Sequence, residues 1–267
     1  MSETITSLSN KKIKNIVLLM RKQSERKEQG LMVVEGEKEI TQCLQSGISV
    51  DSCFICPEIA TNPKVVDLCT KACPPENLYY ITQEVFSKVA YRDDSGGIIL
   101  LGQTRTLELD KVEISGTPLI VILEQVEKPG NLGAVLRSCD AAAVDLLIIC
   151  DPNTDIYNPN VVRSSIGCVF TQKVLACSSD KAIAWLKKNN IAIFAAALQT
   201  DQFYHETDFT KGSAIVFGTE ATGLTEKWLT AADRIIKIPI LGQIDSLNVS
   251  NSVAIMIYEA KRQRGFK

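Results

Sequence analysis

Four continuous apolar runs in the C-terminal half constrain this chain more than any other feature: LIVILEQ from Leu119, DLLIICD from Asp145, IAIFAAAL from Ile191 and SAIVFG from Ser213. Each is strand-length and ends at turn-forming residues. A strand with one wet face alternates apolar and polar residues, so runs without alternation require burial on both faces. The solution is a parallel sheet with helices on each side. Helical patterns at Leu132 to Ala142, Lys181 to Lys188 and from Ser250 to the C-terminus supply them. The sequence contains no internal repeat and no low-complexity tract.

The N-terminal hundred residues read as a smaller α/β unit. Ile13, Ile16, Val17 and Met20 recur at helical spacing, so Asn10 to Lys27 is predicted as one amphipathic helix, basic residues outward, with Asn10 as its cap. Strands are predicted at Leu31 to Val34, in DSCFICP and from Gly96 to Gly102, with a helix from Gly36 toward Leu44. The polar stretch TRTLELDKVEISGTP is predicted as a linker. The expected organisation is therefore a domain over residues 1–105, a linker over 106–117 and a second domain over 118–267. A chain of 267 residues is long enough for both.

Composition narrows the classes. A hydrophobic content of 45% with 22% charged residues excludes a disordered chain. No apolar run is long enough to span a bilayer, and the polar start MSETITSLSN lacks the apolar core of a signal peptide, so a cytoplasmic protein with no membrane partner is expected. Nine scattered cysteines, an odd number, read as reduced and mostly buried thiols. Cys53 and Cys56 form a CxxC, yet Cys69 and Cys73 are spaced differently and no histidine is near, so no metal is expected. His205, the single histidine, lies in the polar stretch QTDQFYHETDF and reads as a solvated loop residue. Chemistry here must run largely without imidazole.

A net charge of −2 argues against indiscriminate binding of nucleic acid. The charge is uneven, however: Lys11, Lys12, Lys14, Arg21, Lys22, Arg26 and Lys27 face a single Glu25 between positions 11 and 27. Taken alone, this patch fits a solvated helix face as well as a nucleic-acid face.

Three motifs carry chemistry. EKPGNLGAVLRSCD, Glu127 to Asp140, lies where a strand gives way to a helix; Gly130 and Gly133 admit a close ligand, and Asn131 and Arg137 can face it. It lacks the GxGxxG spacing of a dinucleotide turn. IVFGTEATGLT, Ile215 to Thr225, sets Glu220 beside a strand that breaks at Gly218; taken alone, a plain turn with a solvated carboxylate is the better fit, since such turns are common. KIPILGQIDSLNVSNSVAIMIYEAKRQR begins at Lys237, with Pro239 and Gly242 shaping a loop before a long helix. Its Ser246 and Asn248 either cap that helix or face a substrate.

In this order the motifs resemble the SpoU (TrmH-like) family of RNA ribose 2′-O-methyltransferases. The likeness runs from about Pro118 to Lys267 and rests on the NLGxxxR, FGxExxGL and IPxxGxxxSLNVS elements. The N-terminal segment, through ITSLSNKKIK and LMVVEGEKEI, resembles the small substrate-binding domain, similar to certain ribosomal proteins, that precedes the catalytic domain in rRNA-modifying members. Two departures stand out: Ala143 and Ala221 occupy positions where the family often has glycine.

The resemblance implies an α/β fold whose C-terminal parallel sheet is tied into a trefoil knot, an arrangement that general folding rules treat as exceptional. It implies S-adenosylmethionine as cofactor, held by Gly218, Thr219, Ile238 and Leu247, and RNA, ribosomal above all, as substrate. It points to Arg137 as the activating residue. A free guanidinium, with a pKa of about 12.5 or more, is a poor base, so a phosphate clamp is the favoured role and proton removal stays open. Asn131 then orients ribose or phosphate, Glu220 holds Asn131 or Arg137, and Ser246 with Asn248 completes the polar wall. Lys11, Lys12, Lys14, Arg163 and Ser164 are the expected RNA contacts, and a homodimer is expected. Rival readings are a tRNA ribose methyltransferase, a non-catalytic ribosome-assembly factor and a nucleotide-dependent α/β enzyme. The last lacks a Walker or dinucleotide fingerprint.

Charge reversal at Lys11, Lys12 and Lys14 is expected to weaken RNA binding and flatten its salt dependence while leaving cofactor affinity unchanged. Filter binding across a salt series checks this; an unaltered slope would make the basic face solvated surface only.

Overall fold

A computed structural model of the chain describes residues 4–91 and 95–266, so the first three residues of the polar start lie outside the described set. In chain order the first elements are β1 (Thr4–Ile5), α1 (Lys11–Arg21), α2 (Gln23–Gln29), β2 (Leu31–Glu35), α3 (Glu37–Gln45), β3 (Val50–Ile55), α4 (Pro63–Ala72), β4 (Leu78–Ile81), α5 (Gln83–Val89) and β5 (Ile98–Gln103). They continue with β6 (Leu119–Glu124), α6 (Pro129–Ala141), β7 (Leu146–Cys150), α7 (Pro159–Ser164), α8 (Cys168–Thr171), β8 (Val174–Cys177), α9 (Ser179–Lys188), β9 (Ala192–Ala196), β10 (Ser213–Phe217), α10 (Glu226–Ala231), β11 (Arg234–Ile236) and α11 (Val249–Gln263). The chain forms two compact units. One runs to Arg105 and takes in Tyr157–Thr171; the other comprises Thr106–Ile156 and Gln172–Lys267.

The first unit is built on a mixed sheet of order β1-β4-β3-β5-β2, with β3 parallel to β4 and both β2 and β3 antiparallel to β5. Ile13, Ile16 and Leu19 of α1 pack with Val33, Phe54, Ile81, Phe86 and Ile99 in its core. Each such side chain contributes about 1.5–3 kcal/mol on burial. Asn10 caps α1 as expected, its Oδ1 accepting from the Lys12 amide at 2.9 Å. The predicted single helix is instead two, because Lys22 is extended (φ −115°, ψ 118°). Arg26, expected outward, is 3% exposed: Nη1 donates to the carbonyls of Leu19 at 2.5 Å and Met20 at 3.4 Å. These acceptors at the end of α1 have lost their next helical turn, and the folded-back guanidinium replaces it. The helical turns α7 and α8 also belong to this unit, against β2 and α3 respectively.

The second unit is a six-stranded parallel sheet of order β11-β9-β10-β6-β7-β8. The four apolar runs are its central strands β6, β7, β9 and β10, and β6, β7 and β10 are buried along their whole length. Side chains alternate across the sheet. Ile120, Ile122, Ile148, Ile193 and Val216 form one face with Trp185 and Leu186 of α9 and Trp228 of α10. Helices α6 and α11 pack on each other, and α11 also packs on β6 and β10. Residues 106–117 carry apolar anchors into this unit: Leu109 is buried, and Leu107, Val112 and Ile114 pack against the same cluster. Ala143, one of the two departures noted above, follows α6 with φ +47°, in the left-handed region that favours glycine; Ala221 has no such geometry.

Arg26→Leu is expected to leave the terminal α1 carbonyls without their buried donor, destabilising the first unit by about 1–3 kcal/mol. Hydrogen exchange of the α1 and β2 amides, which reads one unit at a time, checks the loss.

Candidate active site

Strand order reverses between β6 and β10, so the crevice beyond their carboxyl ends is where an open parallel sheet offers a ligand site. Two segments distant in sequence meet there. Glu124, the last residue of β6, is 3% exposed, and its carboxylate accepts from Thr225 N at 2.8 Å and Thr225 Oγ1 at 2.6 Å. A buried carboxylate needs such donors, and here they fasten the far end of the loop after β10. At the near end, a Cβ on Gly218 would lie 2.1 Å from the Gly223 carbonyl carbon and 2.4 Å from the Leu224 nitrogen. Only glycine permits this crossing of backbones. Thr219 and Gly223 then exchange two backbone hydrogen bonds of 3.1 Å, and Thr219 Oγ1 accepts from Thr222 N at 3.0 Å.

Glu220 projects from this loop and joins all three motifs. Its Oε1 accepts from Asn131 Nδ2 at 2.9 Å and from Asn248 Nδ2 at 2.7 Å, while Oε2 takes an ion pair from Lys128. Asn248 also donates to Asn131 Oδ1 at 3.2 Å. Its own Oδ1 caps α11, accepting from Ser250 N at 3.0 Å and Ser250 Oγ at 2.6 Å. The capping reading is realised by Asn248, whose amide also reaches Glu220 and Asn131. The Lys128 ammonium, and after it the Asn131 amide, holds the Glu220 carboxyl below the usual carboxylate range. Glu220 is thus ionised at neutral pH, and its hold on the two amides is lost only as pH falls through that lowered value.

Beside this cluster lies a cavity of about 480 Å³ in the same unit. Gly218, Thr219, Glu220, Ile238, Ser246 and Leu247, six of the residues singled out from sequence, line it, with Phe217 and Met256 adding apolar wall. Asn131 and Asn248 join through Glu220. Arg137 does not: it is exposed on α6, is absent from the cavity wall and makes no hydrogen bond or ion pair among the described residues. Arg163 and Ser164 lie in the other unit. Arg163 stacks over the Tyr91 ring at 5.1 Å and donates from Nη2 to Asn160 Oδ1 at 3.1 Å. Ser164 Oγ donates to the Asn160 carbonyl at 2.5 Å, inside its own helix. Lys11, Lys12 and Lys14 are exposed on α1, with Lys12 over the Tyr79 ring at 4.4 Å.

Sequence reasoning missed Lys128, Glu124 and Thr225. Lys128 was visible as the cation before the Pro-Gly turn, whereas the pairing of Glu124 with Thr225 crosses 101 positions and left no local signal. Three thiols of the first unit stay protonated at neutral pH: burial pushes Cys43 up to about 12, and Cys56 and Cys73 up to about 11. Among the described residues no three potential metal ligands converge.

The SpoU rRNA Methylase family matches residues 118–258, and the MRM3-like substrate binding domain matches residues 10–100. The chain is similar to the 23S rRNA (guanosine(2553)-2′-O)-methyltransferase of Bacillus subtilis, with 26% identity over 96% of this chain and 98% of that protein. It is 39% identical over 149 residues to the tRNA (guanosine(18)-2′-O)-methyltransferase of Thermus thermophilus, covering 55% of this chain and 75% of that one. Among solved structures, the AdoMet-bound rRNA methyltransferase of Sinorhizobium meliloti superposes with a TM-score of 0.88 at 25% identity, over 98% of each chain.

Gly218→Ala is expected to force the two backbone segments apart, at about 1–3 kcal/mol for an unaccommodated methyl group. Faster hydrogen exchange at Thr219 and Gly223, with the α9 amides unaffected, is the expected outcome.

Proposed function

The chain belongs to the SpoU rRNA methylase family, and from that membership we propose that it transfers a methyl group from S-adenosylmethionine to a ribose 2′-hydroxyl of structured RNA, ribosomal RNA in particular. The observation that carries this reading is the Asn131–Glu220–Asn248 cluster, one residue from each motif, at the wall of the 480 Å³ cavity. A non-catalytic RNA-binding protein has no need of that convergence. A tRNA substrate is the alternative favoured by the 39% identity to the Thermus enzyme, but that likeness covers 55% of this chain. The match of residues 10–100 to a substrate-binding domain and the full-length likeness to a 23S rRNA enzyme favour ribosomal RNA.

The residues present fit the cofactor. The cavity falls in the range of about 300–1,000 Å³ typical of small-molecule sites. Gly218, Thr219, Ile238 and Leu247 would hold it, with apolar walls for an adenine ring and the bare backbone at Gly218 for close approach. When bound, S-adenosylmethionine supplies an electrophilic methyl group. The chain's own part is positioning: Asn131 and Asn248, fixed by Glu220, orient the ribose, and Ser246 extends the polar wall. Arg137, whose fork is uncommitted, clamps the adjacent phosphate and offsets negative charge developing on the ribose oxygen. Lys11, Lys12, Lys14, Arg163 and Ser164 are assigned to RNA. The loops Gly218–Thr225 and Lys237–Asn248 are assigned to a trefoil knot around the cofactor. Leu241 and Ile244, 97% and 59% exposed on the second loop, support a homodimer. No described helix is long and apolar enough to cross a membrane, and a cytoplasmic, metal-free enzyme completes the proposal.

S-Adenosylmethionine, tested against NAD and ATP, is expected to be the one ligand that raises the melting temperature; stabilisation by NAD or ATP alone would overturn the assignment. Arg137→Ala is expected to abolish methyl transfer with fold and cofactor binding intact, and Arg137→Lys to retain a fraction, because charge survives and the bidentate contact does not. Tritiated methyl incorporation into ribosomal and transfer RNA under single turnover measures both variants and decides between the two substrates.

A further inference from the structure

We propose that Lys128 is a positioning residue for methyl transfer: its ammonium fixes the Glu220 carboxylate so that the same carboxylate can bracket the amides of Asn131 and Asn248. The proposal rests on the methyltransferase reading and adds to it a residue outside the NLGxxxR, FGxExxGL and IPxxGxxxSLNVS elements.

Glu220 stands on an open loop, and the torsion that turns a glutamate carboxylate is broad and roughly two-fold. Left to its amide partners, it has no charge to hold one orientation. The partners are unequal: Asn131 and Asn248 donate to Oε1 as neutral amides, and Lys128 alone brings a full charge, on Oε2. Glu127 is the other charged group felt at this pair, acting through Lys128. A charge-assisted bond to one oxygen and two amides on the other leave the carboxylate little freedom to rotate.

The local sequence makes Lys128 a rigid anchor. It precedes Pro129, the first residue of α6, and proline keeps the residue before it extended; Lys128 has φ −86° and ψ 115°. Asn131, three residues on, lies in the first turn of the same helix. Two of the Glu220 partners therefore come from one stiff turn, and Asn248 comes from the cap of α11, which packs on α6. Lys128 is 66% exposed at its side chain, and ion pairs this exposed contribute little to stability. Loss of Lys128 is thus expected to alter Glu220 and leave the fold alone.

The test uses the full chain with Lys128→Met and Lys128→Arg, single-turnover methyl transfer across pH, and titration of the Glu220 carboxyl by carbon NMR. Lys128→Met is expected to lower the rate at saturating RNA by about tenfold, the effect of a modest misplacement, with KM for RNA and cofactor within about twofold. Because Lys128 depresses the Glu220 pKa, its loss raises it, so the acid limb of the rate and the carboxyl midpoint both move to higher pH. Lys128→Arg, which keeps the charge, should restore most of the rate and both midpoints. A raised KM for RNA with the saturated rate intact would instead make Lys128 an RNA contact, and an unchanged rate and KM, whether or not the carboxyl midpoint moves, would make it a surface ion pair. The carboxyl titration reads the Lys128–Glu220 contact without any turnover: an unmoved midpoint would overturn the proposal even if the wild-type chain methylates no RNA offered, whereas absence of transfer by the wild-type chain on any RNA would count against the reading of function itself.

Discussion

The register of β10 against β6 is the constraint on which the rest of the second unit depends. Ser213 pairs with Leu119 and Phe217 with Leu123, so strands 94 residues apart lie side by side and end at the same level. Each end then releases a loop into the same crevice, one opening α6 and the other carrying Glu220. Both strands are buried throughout their length, and a one-residue slip would turn every side chain to the opposite face. The two bonds from Thr225 to the buried Glu124 carboxylate tie the β10 loop to the end of β6 and transmit that register to the site. Apolar packing of the sheet thereby fixes polar groups to hydrogen-bonding tolerance.

Within the crevice, charge is used sparingly. One carboxylate, Glu220, is shared among two amides and one ammonium, so three chain segments converge without a histidine or a metal-ligand cluster among the described residues. Such a site is suited to holding and orienting a weak nucleophile, not to strong acid–base chemistry. It is consistent with methyl transfer, in which the cofactor brings the reactive group and the protein supplies placement. Among the described residues Arg137 makes no hydrogen bond or ion pair within the protein.

The first unit follows a different logic. Its sheet is mixed, its basic helix is exposed on the lysine-bearing side, and the α7–α8 turns join it from the middle of the other unit's sequence. Arg163 is therefore carried on sequence belonging to the methylase match but packs with the substrate-binding unit. From sequence it was only an expected RNA contact; that it packs beside Tyr91 was decided by tertiary structure.

The sequence by itself determined the elements whose cause is local or periodic. Continuous apolar runs announced β6, β7, β9 and β10, helical spacing announced α1 and α11, and Asn10 announced its own cap. Gly218 was legible as the point where a buried apolar run breaks, whereas the crowding by Gly223 and Leu224 that demands glycine there was not. Short edge strands such as β1 and β11 left no pattern, since two or three residues hold no period. The break at Lys22 was invisible because it depends on Arg26 folding back into the core, against the outward reading of its charge. Of the site, motif spacing gave Asn131, Glu220 and Asn248, but only the tertiary structure decided that one carboxylate would hold both amides, that Lys128 would neutralise it and that Glu124 would anchor the loop. Those pairings cross between 28 and 101 positions of the chain, and no local preference encodes them.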